Sequence, residues 1–172
     1  MFSTWVLYCT LKFGWGPLEN GWSLAASGVV SVLVQGVMLG RLLRWVSPRR
    51  LAVFGMLSAT LSYLLFGVAT QGWMVFAIIG LNLLGTTVTA CVQSIISGAA
   101  DAHSQGRAMG AVSSLNSMMA VLGPVVGTPL LGVVSHLPRG DWRIGAPFYF
   151  CAVVQLIALV LAIMYFRRRH AT

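Results

Sequence analysis

Residues 105–132 read QGRAMGAVSSLNSMMAVLGPVVGTPLLG, a stretch in which only Arg107 carries a charge. It is long enough to cross a bilayer, since a spanning helix needs about 20 residues. Its small residues recur in steps of three or four and share one helix face: Gly106, Gly110, Ser113, Ser117, Ala120, Gly123 and Gly127. Such a face allows a second helix backbone to approach closely, as helices do in lipid. The stretch therefore predicts a packed membrane helix.

The composition agrees with a membrane protein and leaves no room for a soluble domain. Hydrophobic residues make up 58% of the chain and charged residues only 8%, whereas soluble domains carry about 25% charged residues. The three cysteines lie in apolar stretches without CxxC spacing, which argues against a disulfide framework or a zinc site. The motifs HExxH, GxSxG and the P-loop are absent. We therefore predict no catalytic residue, no metal site and no cofactor.

The fold prediction is an all-α membrane protein with five complete transmembrane helices and a partial first helix. Residues 1–13 are apolar but too short to span, so they indicate one half of a helix. Ser47 and Pro48 form a helix start, with serine as N-cap and proline in the first turn. The complete helices are predicted at about 20–43, 49–69, 73–98, 104–134 and 146–166.

The positive charges are distributed unevenly between the two sides of this arrangement. The net charge is +8, and eight of the eleven lysines and arginines fall on one side: Arg41, Arg44, Arg49, Arg50, Arg107, Arg167, Arg168 and Arg169. The positive-inside rule places that side in the cytoplasm. We expect a multi-pass inner-membrane protein with a cytoplasmic C-terminus. Topology explains the charge, so no nucleic-acid partner is predicted.

The third complete helix carries a polar stripe in steps of three or four: Asn82, Thr86, Thr89, Gln93 and Ser97. Polar groups are costly against lipid, so the stripe should face protein or water. It can be the wall of a substrate cavity, or it can supply hydrogen bonds between helices. Threonine can also bond back to its own helix, which is harder for the two amides.

Gln35 and Asn116 are two further amides in predicted spans, with packing and ligand contact as the alternatives. Trp5 and Tyr8 in the half helix could serve a cavity or the membrane interface. The candidate substrate-binding residues are Asn82, Thr86, Thr89, Gln93, Gln35 and Asn116. No complete helix has a carboxylate in its middle, so an acid that couples protons would lie outside this chain.

Several segments together resemble the C-terminal half of a major facilitator superfamily transporter, in the drug:proton antiporter group of tetracycline exporters. They are WVLYCTLKFGW at 5–15, GWSLAASG at 21–28, the Gly40–Arg41 stretch, and QGRAMGAVSSL at 105–115 with Gly123–Pro124. The resemblance implies twelve helices in two halves, a central cavity and alternating access. It also implies that the third complete helix lines the cavity. The first and fourth would pack against the other half, and the second and fifth would be peripheral.

The chain departs from the tetracycline-exporter pattern at specific positions. Arg44 stands where the basic loop motif has aspartate, and Ser47 replaces a motif glycine. Ser31 and Ala59 stand where a histidine and an aspartate are expected. Gln35 and Gln93 match the pattern. These departures argue against tetracycline itself as the substrate.

We therefore expect a C-terminal portion of a proton-coupled exporter of small hydrophobic or drug-like molecules. Its partners would be the substrate, the lipid bilayer and a missing N-terminal six-helix half, and the chain should not transport alone as a monomer. The alternative is a stand-alone small membrane protein, acting with a second copy as a homodimeric transporter or as an assembly or structural partner. An intramembrane enzyme would need a Ser–His, paired-Asp or metal constellation, which the sequence lacks.

Overall fold

The computed structural model describes residues 2–99, 104–138 and 141–168, and the regular structure in those ranges is helical. The α-helices are α1 Phe2–Phe13, α2 Pro17–Leu33, α3 Leu39–Trp45, α4 Pro48–Val68, α5 Gly72–Leu81, α6 Val88–Ala99, α7 Gln105–Val134 and α8 Ala146–Arg168. Three short segments complete the order: a π-helical turn at Val34–Met38 and 3-10 turns at Gly85–Thr87 and Trp142–Gly145.

Four of the described helical runs are long and apolar enough to cross a membrane: Pro17–Trp45, Pro48–Val68, Gln105–Val134 and Trp142–Arg168. A fifth results if α5 and the following helical segment count as one span, bent by 54°. The all-helical prediction is thus confirmed, and the described residues contain four or five helical runs that could span a membrane. Pro124 and Pro129 lie inside α7 without interrupting it.

Two helices that were predicted as continuous are interrupted in the structure. The predicted helix 20–43 is observed as α2 and α3, joined by the π-helical turn Val34–Met38. The predicted helix 73–98 is broken between Leu81 and Gly85. The sequence places Asn82 and Gly85 there, two residues with low helix propensity.

The helix α4 is the centre of the described structure, whereas the resemblance implies a peripheral position for it in a whole twelve-helix transporter. It packs along α8 over much of its length and also contacts α5 and α6. Its buried residues include Gly55, Ala59 and Gly67, whose small size lets neighbours approach. A methyl group on Gly55 would come within 2.6 Å of the Leu84 carbonyl oxygen. Within this chain, the helix against which the others pack is α4.

The C-terminal end of α4 is closed by side chains from α1. The last carbonyl groups of a helix have no partner within it. The Tyr8 hydroxyl donates to the Phe66 carbonyl oxygen, and Lys12 Nζ donates to the Gly67 carbonyl oxygen at 2.6 Å. Both donors are buried, and the Lys12 ammonium also lies 5.4 Å from the centre of the Tyr8 ring. A cation at this end is favoured by the helix dipole. The short helix α1 is thereby fixed to α4.

Two glycines bring the end of α4 against the segment that leads into α8. A methyl group on Gly145 would lie 2.6 Å from the Gly67 Cα, and one on Gly67 would overlap the Tyr149 ring. The backbones therefore touch directly at this point. Side chains of any size are excluded from both positions as the helices stand.

Gly145→Ala is expected to lower the free energy of unfolding by about 1–3 kcal/mol, because the added methyl group overpacks a backbone contact. Gly132→Ala is the matched control, since a methyl group there meets nothing within 4 Å. Unfolding in a denaturing-detergent titration, followed by circular dichroism, measures both variants. Equal unfolding midpoints for the two would contradict the packing described.

Candidate substrate cavity

A cavity of about 340 Å³ lies between α1, α2, α4 and the break in the third predicted span. Its volume falls in the range of small-molecule sites, which begins at about 300 Å³. Most of its wall is apolar or aromatic, with a few hydroxyls and one amide. The lining residues are Trp5, Leu24, Ser27, Val30, Ser31, Phe66, Ile79, Asn82 and Thr86.

The aromatic part of the wall comes from Trp5 and Phe66. Their rings meet edge to face with centroids 5.0 Å apart, and Trp5 packs on Phe148 in the same way at 5.9 Å. The Trp5 indole N–H donates to the Ser23 hydroxyl at 3.1 Å, which fixes the ring. Trp5 therefore contributes an oriented apolar face to the cavity, so the role that its sequence left open is a cavity contact in this structure.

Asn82 supplies the one side-chain amide of the cavity wall. Its Oδ1 atom is buried and accepts no hydrogen bond. The side chain lies directly against Gly85, where a methyl group would overlap Oδ1. A buried acceptor without a donor is destabilising by about 1–3 kcal/mol unless a ligand or water supplies the donor. Asn82 therefore lines the cavity while its Oδ1 atom is enclosed against Gly85.

Around the break between α5 and α6, backbone carbonyl oxygens accept hydrogen bonds from one backbone N–H and from three hydroxyl groups. The backbone N–H of Asn82 donates to the Ile78 carbonyl oxygen at 2.9 Å, which closes α5. Ser58 on α4 donates to the Leu81 carbonyl oxygen at 3.1 Å. Thr86 and Thr87 donate to the carbonyl oxygens of Leu83 and Leu84, at 2.8 and 2.7 Å. Carbonyl groups freed from a helix at membrane depth need such donors.

Of the six predicted site residues, the structure brings two together at the cavity, Asn82 and Thr86. Thr89 is exposed and Gln93 is partly exposed on α6, beyond the bend, and neither lines the cavity. The 54° bend separates them because a stripe stays on one face only along a continuous helix. The Thr86 hydroxyl donates to the Leu83 carbonyl oxygen of its own segment, so it bonds back locally and does not join two helices.

Gln35 and Asn116 lie away from the cavity. Gln35 is exposed within the π-helical turn, and a π turn inserts residues that rotate the following face relative to α2. Asn116 is exposed in the middle of α7. Neither amide is buried by the described residues.

Ser27 and Phe66 are among the cavity residues that sequence reasoning missed, while Ser31 was noted only as a departure from the tetracycline-exporter pattern. A signal existed for the serines, because Ser23, Ser27 and Ser31 follow one another in steps of four along α2. Ser27 donates back to the Ser23 carbonyl oxygen at 2.9 Å. Phe66 carries no pattern that distinguishes it from other apolar residues of α4.

Ser58→Ala is expected to speed amide exchange at residues 82–86 by about five-fold, which corresponds to ~1 kcal/mol for the lost hydrogen bond to Leu81. Ser62→Ala is the matched control one turn away, because the Ser62 hydroxyl donates within α4 to the Ser58 carbonyl oxygen. Hydrogen–deuterium exchange with peptide mass spectrometry reports both. The same exchange rate in the two variants would show that Ser58 does not support the break.

Comparison with known proteins places the whole chain in one family. The model of the Major Facilitator Superfamily matches residues 1–172. The class G tetracycline resistance protein of Vibrio anguillarum is 32% identical over 146 residues, covering 84% of this chain and 37% of that protein. The class D protein of Salmonella ordonez is 30% identical, covering 86% of the chain and 38% of that protein.

A more distant relative is Hippocampus abundant transcript-like protein 1 of Rattus norvegicus, which is 24% identical over 94% of this chain and 35% of that protein. The chain thus spans less than two-fifths of the length of these relatives. No solved structure matches it significantly.

Proposed function

Because this chain belongs to the Major Facilitator Superfamily, a family of transporters and not of enzymes, we propose that it forms the C-terminal half of an efflux transporter. The substrates would be small hydrophobic or drug-like molecules. The observation that carries this proposal is the cavity of about 340 Å³ whose wall combines the rings of Trp5 and Phe66 with the side chains of Asn82 and Thr86. The relatives named as tetracycline resistance proteins support export of a drug-like compound.

The chemistry of the cavity defines the ligand class. Trp5 and Phe66 offer flat apolar surface, which suits a ligand with a ring system. The polar lining residues, which are Ser27, Ser31, Asn82 and Thr86, suit a ligand that also carries a few hydrogen-bonding groups. Two positions differ from the tetracycline-exporter pattern. Ser31 lines the cavity, and Ala59 is buried beside Gly85. A ligand other than tetracycline therefore fits these positions better.

Proton coupling is part of the proposal and would depend on groups outside this chain. The carboxylates in the described ranges are Glu19 and Asp141, which accept from the backbone amides of Gly16 and Arg143 near helix starts. Neither lines the cavity. The acids that bind and release the protons driving export would belong to an N-terminal six-helix half.

The open face of α7 supports a partner of this kind. Methyl groups placed on Gly106, Gly110 or Gly123 would meet nothing within 4 Å. Gly127, by contrast, packs against Thr4 of α1. The unfilled glycine positions would take a helix of the N-terminal half, with the second copy in a homodimer as the alternative. The arginines near 41–50 and 167–168 would face the cytoplasm.

Asn82→Leu is expected to weaken export at least ten-fold, because it replaces the one amide of the cavity wall by an apolar side chain with the same number of heavy atoms, a change of about 1–3 kcal/mol. Thr89→Ala is the control on the same predicted stripe, exposed and outside the cavity. The assay is ethidium export from proteoliposomes that hold the chain with the N-terminal half of the class G relative. Ethidium fluorescence titration of the chain alone gives a second readout of the same site. Equal export and equal binding in both variants would exclude Asn82 from the site.

The chain reconstituted alone is expected to show no ethidium-dependent proton movement, because half of the cavity wall is missing. A pH-sensitive dye enclosed in the vesicles measures this, and the two-half sample is the positive control. Proton movement with the chain alone would favour the homodimer. The reading frame upstream of Met1 separates the same two interpretations, since six further helices in frame would support the two-half transporter.

A further inference from the structure

A second and larger cleft lies at the end of the helices where the positive charges gather. It has a volume of about 1110 Å³ and opens between the start of α4, the end of α6 and the end of α8. Its residues are remote from the substrate cavity, and the two share no lining residue. The proposed export function assigns no role to it.

Three arginines line this cleft, namely Arg49, Arg50 and Arg167. The carboxylates of the described ranges cannot balance them, because Glu19 and Asp141 lie at the opposite ends of the helices that lead to these arginines. Three guanidinium groups around one opening create a local positive potential. Guanidinium groups bind phosphate oxygens in a bidentate manner, which makes phosphate a suitable counter-ion.

The remaining wall of the cleft is apolar. It includes Val53, Phe54, Ile95, Ile163 and Phe166. Phe54 is 55% exposed and Ile163 is 36% exposed, and both lie on helices whose outer faces are rich in exposed aliphatic residues. A free phosphate ion would leave this surface unused. A ligand with a phosphate group and a hydrocarbon chain would contact both parts.

We propose that this cleft binds an anionic phospholipid from the cytoplasmic leaflet. The phosphate group lies among Arg49, Arg50 and Arg167, and an acyl chain runs along Phe54 and Ile163. Basic clefts between helices on the cytoplasmic side suit anionic headgroups, because that leaflet carries a negative surface potential. The lipid would join α4, α6 and α8 at the end opposite to the Gly67–Gly145 contact.

The test is native mass spectrometry of the 172-residue chain, released from detergent in the presence of phosphatidylglycerol or phosphatidylcholine. The unmodified chain should retain phosphatidylglycerol at least about ten-fold more strongly than phosphatidylcholine. Arg49→Gln/Arg50→Gln should weaken phosphatidylglycerol binding about 30-fold, from ~1 kcal/mol for each arginine near the surface. Circular dichroism checks that each variant keeps its helix content.

Arg41→Gln/Arg44→Gln is the matched control, since it removes two exposed arginines just before α4 that do not line the cleft. It should change binding less than about three-fold. Dihexanoyl phosphatidylglycerol and inorganic phosphate serve as competitors that separate lipid from free phosphate, and both should compete poorly. Equal losses in the two double variants, no preference over phosphatidylcholine, or effective competition by inorganic phosphate would each overturn the proposal.

Discussion

The need to satisfy backbone carbonyl groups where water is absent is the constraint on which this structure depends. Side chains satisfy these carbonyl groups at two places, one at the end of α4 and one beside it. At the end of α4, Tyr8 and Lys12 donate to carbonyl oxygens that the helix itself leaves free. At the break between α5 and α6, Ser58 of α4 donates to a carbonyl oxygen of the neighbouring helix. Both sets of bonds fix a short or interrupted segment to one continuous helix.

The break and the cavity are consequences of the same packing. Gly55 leaves room for the Leu84 carbonyl group, so the irregular segment can approach α4 closely. The bend then turns Asn82 toward Trp5 and Phe66, while Thr89 and Gln93 follow α6 in another direction. Discontinuous helices form binding sites in many transporters, because the ends of the half-helices expose polar groups at membrane depth. Here the polar residue at the break is Asn82, whose buried Oδ1 atom lies against Gly85.

The membrane class and the helices could be predicted from the sequence because apolar length and charge placement are strong signals. The turn at Val34–Met38 could not, since VQGVM has no residue that demands a π turn. The sequence carries only a weak signal for the break at Asn82. Glycine is common in membrane helices, and the asparagine was already explained as a candidate substrate-binding residue. Treating residues 73–98 as one straight helix placed five polar residues on one face, and of these only Asn82 and Thr86 line the cavity in the bent structure.

The direct contact between Gly67 and Gly145 has a consequence for how this sequence can diverge. A side chain at Gly145 would collide with the backbone at Gly67, and one at Gly67 with the Tyr149 ring. A substitution at either position is accommodated only if the two backbones move apart. The two glycines and Tyr149 are therefore expected to co-vary among related sequences, although Gly67 is far from the other two positions along the chain.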